Sequence, residues 1–103
     1  VPDRPVRTLA DLARLDPNPA PATYDHIRKL LARVKAELKG ELPVIVFAGA
    51  PFTVATYCIG TGKDVAATRR FADQNPDVWN GLLAKLTGAT VGFLRTLIAD
   101  GAD

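Results

Sequence analysis

The sequence predicts an α/β chain, mostly helical with one clear parallel strand, that forms a segment of a (β/α) barrel rather than a complete domain. Three observations predict it. The run Val44, Ile45, Val46, Phe47, Ala48 is wholly apolar and rich in β-branched residues, as in strands buried on both faces of a parallel sheet. Apolar residues elsewhere recur at helical spacing on either side of that run. A single parallel strand cannot satisfy its own backbone donors and acceptors, so it needs neighbours on both sides.

Residues 1–21 form a Pro-rich lead, where Pro2, Pro5, Pro17, Pro19 and Pro21 favour extended or turn backbone. One short helix interrupts it. Thr8 can cap that helix, Asp11 follows three residues on, Leu9, Leu12 and Ala13 share a face, and Asp16-Pro17 ends it. Residues 22–40 hold a second helix, expected from 24 to 39, with Ile27, Leu30, Leu31, Val34 and Leu38 as its apolar stripe. Thr23 is its expected N-cap, Asp25 suits the first turn, Lys35 and Lys39 suit the last, and Gly40 the stop. Arg28, Lys29 and Arg33 lie off the stripe and read as a solvated face.

The strand is expected at 43–48, and residues 52–100 read as helices. The first runs from 52 to 59 and stops at Gly60 or Gly62. Asp64 caps the next, from 65 to 73. Asn75-Pro76-Asp77 combines a capping side chain, a Pro at the first helical position and an acid in the first turn. A long helix then reaches about Asp100, with Leu82, Leu83, Leu86, Phe93, Leu94, Leu97 and Ile98 as its expected buried face. Gly81, Gly88 and Gly92 weaken it in isolation but permit close approach of a neighbour.

Composition bounds the function classes. The chain has 103 residues, 48% hydrophobic and 23% charged, which is ordinary for a globular protein. Its net charge of +2 is far from the basic stripe of a nucleic-acid binder. No run of about 18 apolar residues suggests a membrane span. The single Cys58 rules out an internal disulfide framework and fits a reducing compartment. The chain opens at Val1 rather than Met and closes on a helix stop, so a piece of a larger protein is expected.

Gly49 and Pro51 punctuate the chain where the strand's C-terminal end falls, the end that carries chemistry in α/β folds. Gly49 lets backbone approach a ligand, and the amides of Phe52 to Val54 open a helix that can meet a carboxylate. Phe47, at the strand exit, reads by itself as a core aromatic. Tyr57 shares a helical face with Val54 and Cys58 and lies one turn from Thr53. Such a tyrosine is usually a core residue with a satisfied hydroxyl. Cys58 reads as an inert buried residue, Trp79 as packing, and Arg69-Arg70 as surface. The single His26 has no second candidate ligand, so no metal is expected.

The residues Phe47-Ala48-Gly49-Ala50-Pro51-Phe52-Thr53, Tyr57 four residues on, and the tail Gly60-Thr61-Gly62-Lys63 resemble the uroporphyrinogen decarboxylase family. The Pro-rich lead, basic helix, strand and following helices resemble it too, so the likeness spans most of the chain. Members usually carry Gly where this chain has Val46, which adds bulk beside the expected pocket, and an acidic residue where it has Gly60. The resemblance implies a (β/α)8 TIM barrel that removes the four acetate carboxyls of a porphyrinogen in haem synthesis, without metal or cofactor. It implies a cytoplasmic homodimer.

It further implies that Tyr57 contacts substrate, its phenol donating to a carboxylate while its ring packs on the macrocycle, and that Phe47 lines the same pocket. Gly49 and Pro51 would shape it. The family's Arg-rich motif, catalytic Asp, Ser or Thr after the next strand, and His have no matching positions here, so no catalytic residue is expected in this piece. Two other readings stay open at this point. One is a zinc-dependent methyltransferase acting on corrinoids or thiols, from the same superfamily and sharing a Pro-Phe-Thr turn. The other is a non-catalytic helical interaction module.

Overall fold

The Thr8 hydroxyl accepts the Asp11 N–H at 3.1 Å while the Asp11 carboxylate accepts the Thr8 N–H at 3.2 Å. This reciprocal box starts α1 (Leu9–Ala13) in the computed structural model, which describes residues 4–103. The first three positions of the expected lead lie outside the described residues. From across the molecule, Lys85 Nζ donates to the Leu12 and Leu15 carbonyls at 2.8 and 2.9 Å, satisfying acceptors at the far end of α1.

The second helix, α2 (Asp25–Leu38), does not start on Thr23 as expected. Pro21–Tyr24 form a 3-10 turn, and the Thr23 N–H already bonds the Ala20 carbonyl, so Thr23 lies inside that turn and Tyr24 takes the cap position. The helix ends on Lys39 with φ +51° and Gly40 with φ +77°, consistent with the expected glycine stop. Arg28 is not simply solvated. Its guanidinium forms a two-bond ion pair with Asp100, which ties α2 to the end of the last helix.

Three helices complete the order: α3 (Pro51–Ile59), α4 (Val65–Gln74) and α5 (Pro76–Ala99). Asp64 caps α4 by accepting the Ala67 N–H at 3.0 Å. Asn75, by contrast, does not cap α5 with its side chain. Its amide donates back to the Phe71 carbonyl at 3.3 Å, because α4 ends on the same residue and competes for it.

The core lies where α5 meets α1, α3 and α4. Val6, Leu12, Ala55, Cys58, Ile59, Phe71, Val78, Trp79 and Leu82 form one buried cluster. The lead takes part, since the Val6 N–H donates to the Cys58 carbonyl at 2.8 Å and its side chain is fully buried. On α5 the buried residues are Val78, Trp79, Leu82 and Leu97. Ile98, expected on that face, is exposed. By length and composition α5 could cross a membrane, although no apolar run of that length was expected. Its first three turns nevertheless face the core.

The expected parallel strand is not formed. Among the described residues there is no strand, and residues 43–50 belong to no regular element. The physical reason is the one the sequence raised: a ladder needs a second strand, and every other described segment of comparable apolarity is helical. The accessible surface is 7035 Å², against about 5,600 Å² for a compact protein of this mass. The radius of gyration is 16.3 Å, where roughly 13 Å is typical of a compact domain this size. The chain is helical and open.

Candidate functional site

The candidate site begins where the extended segment turns into α3. Exposure along that segment alternates: Val44, Val46 and Ala48 are half-buried, whereas Ile45 is 80% and Phe47 89% exposed. A period of two is the signature of pleated backbone, so the two sets point to opposite faces. Phe47 therefore stands out on open surface and is no core residue. Val46, expected to add bulk beside the pocket, falls on the opposite face from Phe47.

Gly49 carries the turn by its lack of a side chain. A Cβ there would sit 2.8 Å from Val54 Cγ2, closer than carbon atoms tolerate. Ala50 is extended, at φ −62° and ψ 149°, and Pro51 then occupies the first position of α3. Of the helix-start amides expected to meet a carboxylate, that of Val54 already bonds the Ala50 carbonyl at 3.0 Å. Phe52 and Thr53 hold the second and third helical positions, whose N–H groups point out of the helix end.

Along α3 one side is buried, through Ala55, Thr56, Cys58 and Ile59, and the other carries Thr53 and Tyr57 to the surface. Tyr57 is 51% exposed. It thus departs from the usual buried tyrosine. Cys58, one residue on, is 3% exposed, and burial raises its thiol above the ordinary range, so the neutral form dominates.

α3 ends at Gly60 with φ +85°, in the left-handed region that glycine adopts without strain. The next residues close a polar clasp: the Thr61 and Gly62 N–H groups both donate to the Thr56 carbonyl, and the Thr61 and Thr68 hydroxyls meet at 2.6 Å. The Gly-rich tail serves as a helix stop that joins α3 to α4. Arg69 and Arg70 are exposed, as expected, and so is His26.

One feature was missed. Phe52 stacks edge-on against Trp79, with ring centroids 5.7 Å apart. The two rings wall a recess of about 260 Å³ together with Thr68, Arg69, Ala72 and Asp73. Two aromatics 27 positions apart on separate helices leave no periodic signal to find them by.

Comparison with known proteins fits this arrangement. A family model described as uroporphyrinogen decarboxylase (URO-D) matches residues 1–103. The chain is 41% identical over 97 residues to a uroporphyrinogen decarboxylase of Frankia casuarinae, covering 92% of this chain and 25% of that protein. It is 41% identical over 101 residues to that of a Nocardioides species, covering 96% and 29%. Against that of Carboxydothermus hydrogenoformans it is 34% identical over 103 residues, covering 98% and 29%. The chain thus spans between a quarter and three-tenths of the length of these relatives. With the family model matched from end to end and two of these relatives 41% identical over nearly all of it, the chain belongs to the uroporphyrinogen decarboxylase family.

Proposed function

We propose that these residues form part of a (β/α)8 barrel that decarboxylates the four acetate arms of uroporphyrinogen III to give coproporphyrinogen III. The observation that carries this reading is the family match over residues 1–103, which takes in the contiguous motif from Phe47 to Thr53 with Tyr57 four residues on. In the parent enzyme the Phe47 ring packs on a pyrrole edge, and the Tyr57 hydroxyl donates to a substrate carboxylate. Gly49 and Pro51 set the approach of the backbone.

The chemistry asks little of this piece. The pyrrole is its own electron sink: ring protonation creates a cation, and carbon dioxide leaves from the adjacent acetate. No cofactor or metal takes part. The proton donor and the charges that stabilise the cation come from residues outside positions 1–103, so this piece alone is inactive. The parent is a cytoplasmic homodimer that takes a porphyrinogen and neither nucleic acid nor membrane. Membership of the family supports this reading over a zinc methyltransferase or a stand-alone helical module.

Substituting Tyr57→Phe in the full-length enzyme tests it. Loss of a hydrogen bond to a charged group is worth roughly 1.5–3 kcal/mol, hence about a tenfold to hundredfold fall in kcat/KM. The circular dichroism spectrum is expected to stay the same. An unchanged kcat/KM would remove Tyr57 from the site, and turnover by residues 1–103 alone would overturn the assignment of the catalytic groups.

A further inference from the structure

Lys85 spends a charged side chain on two neutral acceptors. Its ammonium donates to the Leu12 and Leu15 carbonyls at 2.8 and 2.9 Å, and among the described residues it forms no ion pair. Both carbonyls lie at the end of α1, where a helix leaves acceptors without partners of its own. Only five residues long, α1 cannot hold itself together by internal bonds. The Thr8–Asp11 box fixes its start, and Lys85 fixes its finish.

The lead that runs into α1 crosses the end of α3. The Val6 N–H donates to the Cys58 carbonyl at 2.8 Å, one of the acceptors that α3 leaves open in its last turn. Tyr57 sits in that same turn. Further along, Leu12 presses on α5 so closely that a Cβ at Gly81 would lie 2.5 Å from Leu12 Cδ2. The lead, α1 and the last turn of α3 are therefore one connected brace on α5. One flank of that brace is open. Leu15, Lys85 and Leu86 line a recess of about 320 Å³ whose other wall includes Val54 and Cys58 of α3. Across a recess the facing walls make no dispersion contact, so packing does not fix the α1 end there. The two bonds from Lys85 hold it at its distance. On α3, Val54 lies one turn before Tyr57 and Cys58 directly after it, so a shift of this wall turns the tyrosine too.

We infer that Lys85 is a positioning residue for Tyr57, acting through the end of α1 and the lead that caps α3. This rests on the reading of Tyr57 as a donor to a substrate carboxylate, and it adds what holds the donor in place. Hydrogen bonds weaken steeply with angle, so a small rotation of the last turn of α3 is enough to cost activity. Lys85 acts at a distance and needs no contact with substrate.

A double-substitution cycle in the full-length enzyme, read as kcat/KM for a porphyrinogen, tests this. Lys85→Met keeps most of the apolar stem and removes the donors, and is expected to lower kcat/KM by about three- to tenfold. In a Tyr57→Phe background the same change is expected to alter kcat/KM by less than about twofold, because the hydroxyl it positions is gone. A role in stability alone would lower both backgrounds equally. Equal losses therefore overturn the inference, as does a Lys85→Met enzyme with unchanged kcat/KM. Lys85→Arg keeps the charge and the donors, and is expected to stay within about twofold of the unsubstituted enzyme. An Arg variant as weak as the Met variant overturns the inference too. Amide hydrogen exchange at Val6 is expected to quicken by about tenfold in Lys85→Met, and an unchanged rate breaks the route through the lead. Where Lys85→Met does not fold, Lys85→Gln, which shortens the reach and drops the charge, carries the same cycle. A Tyr57→Phe enzyme with unchanged kcat/KM removes the reading of Tyr57 and the inference with it. A loss in Tyr57→Phe beside equal losses from Lys85→Met removes the inference alone.

Discussion

The cluster around Leu82 and the extended stretch around Phe47 are drawn from comparably apolar sequence, and they end in opposite states. Leu82 is wholly buried, whereas Ile45 and Phe47 are among the most exposed apolar residues described. The difference lies in the backbone. A helix closes its own hydrogen bonds, so α1, α3, α4 and α5 need only bring side chains together. An extended segment has half its peptide groups facing each edge, and it is not finished until strands lie on both. Apolar composition tells that a residue will be covered. Hydrogen-bond topology tells by what.

The largest test of this contrast is a pair of truncations in the 103-residue chain. Leu82→Ala is expected to cost about 2–5 kcal/mol, the range for emptying a packed site. Ile45→Ala is expected to stay within about 0.5 kcal/mol, as for an exposed position. Urea unfolding followed by Trp79 fluorescence measures both. Similar costs would mean that the extended segment is covered in solution and the contrast is false.

A finer test uses two glycines of the same helix. A Cβ at Gly81 would lie 2.5 Å from Leu12 Cδ2, whereas one at Gly92 meets nothing within 4 Å. Gly81→Ala is therefore expected to destabilise by about 1–3 kcal/mol through overpacking against α1. Gly92→Ala is expected to stabilise by up to about 1 kcal/mol from helix propensity alone. If both stabilise, α1 is not seated on α5 as described.

The smallest effect concerns acid. The hydrogen bond from Arg28 holds the Asp100 carboxyl below its ordinary range, with the guanidinium charge adding to it. A carboxyl lowered in the folded state contributes its stabilisation above the unfolded value, about 3.9, and loses it as pH falls through the lowered folded value. The tie between α2 and α5 should therefore loosen below about pH 4. Tyr24 packs on Phe93 at 5.5 Å between ring centroids in the same contact, so tyrosine fluorescence reports it. Asp100→Asn is expected to lack that acid step. An unchanged step would assign it to Asp11, which the Arg7 N–H and the Arg14 side chain hold low at α1.

Local chemistry made much of the fold legible. Thr8 and Asp11, Asp64, Gly60 and Pro51 each mark a helix end by a side chain or backbone property that acts over four residues or fewer. Two local readings were displaced by equally local competitors: Thr23 by the Pro21–Tyr24 turn, and Asn75 by the last carbonyls of α4. The stripe on α2 was correctly apolar, yet only Leu31 on it is buried, while Leu30 and Val34 face solvent. Within the candidate site, the spacing from Phe47 to Tyr57 was readable. The pairing of Phe52 with Trp79 was not, since it depends on how two helices cross.

Taken alone, the sequence determined that the chain is mostly helical, where most of its helix ends fall, and to which family it is similar, whereas the strand it predicted over 43–48 is not formed. What it determined follows from propensities, caps and a contiguous motif, all written in neighbouring residues. Only the tertiary structure decided that Val6 from the lead enters the core, that Tyr57 and Phe47 stay outside it, and that Asp103 meets Val44. Those outcomes depend on contacts between residues tens of positions apart, whose partners no local pattern names.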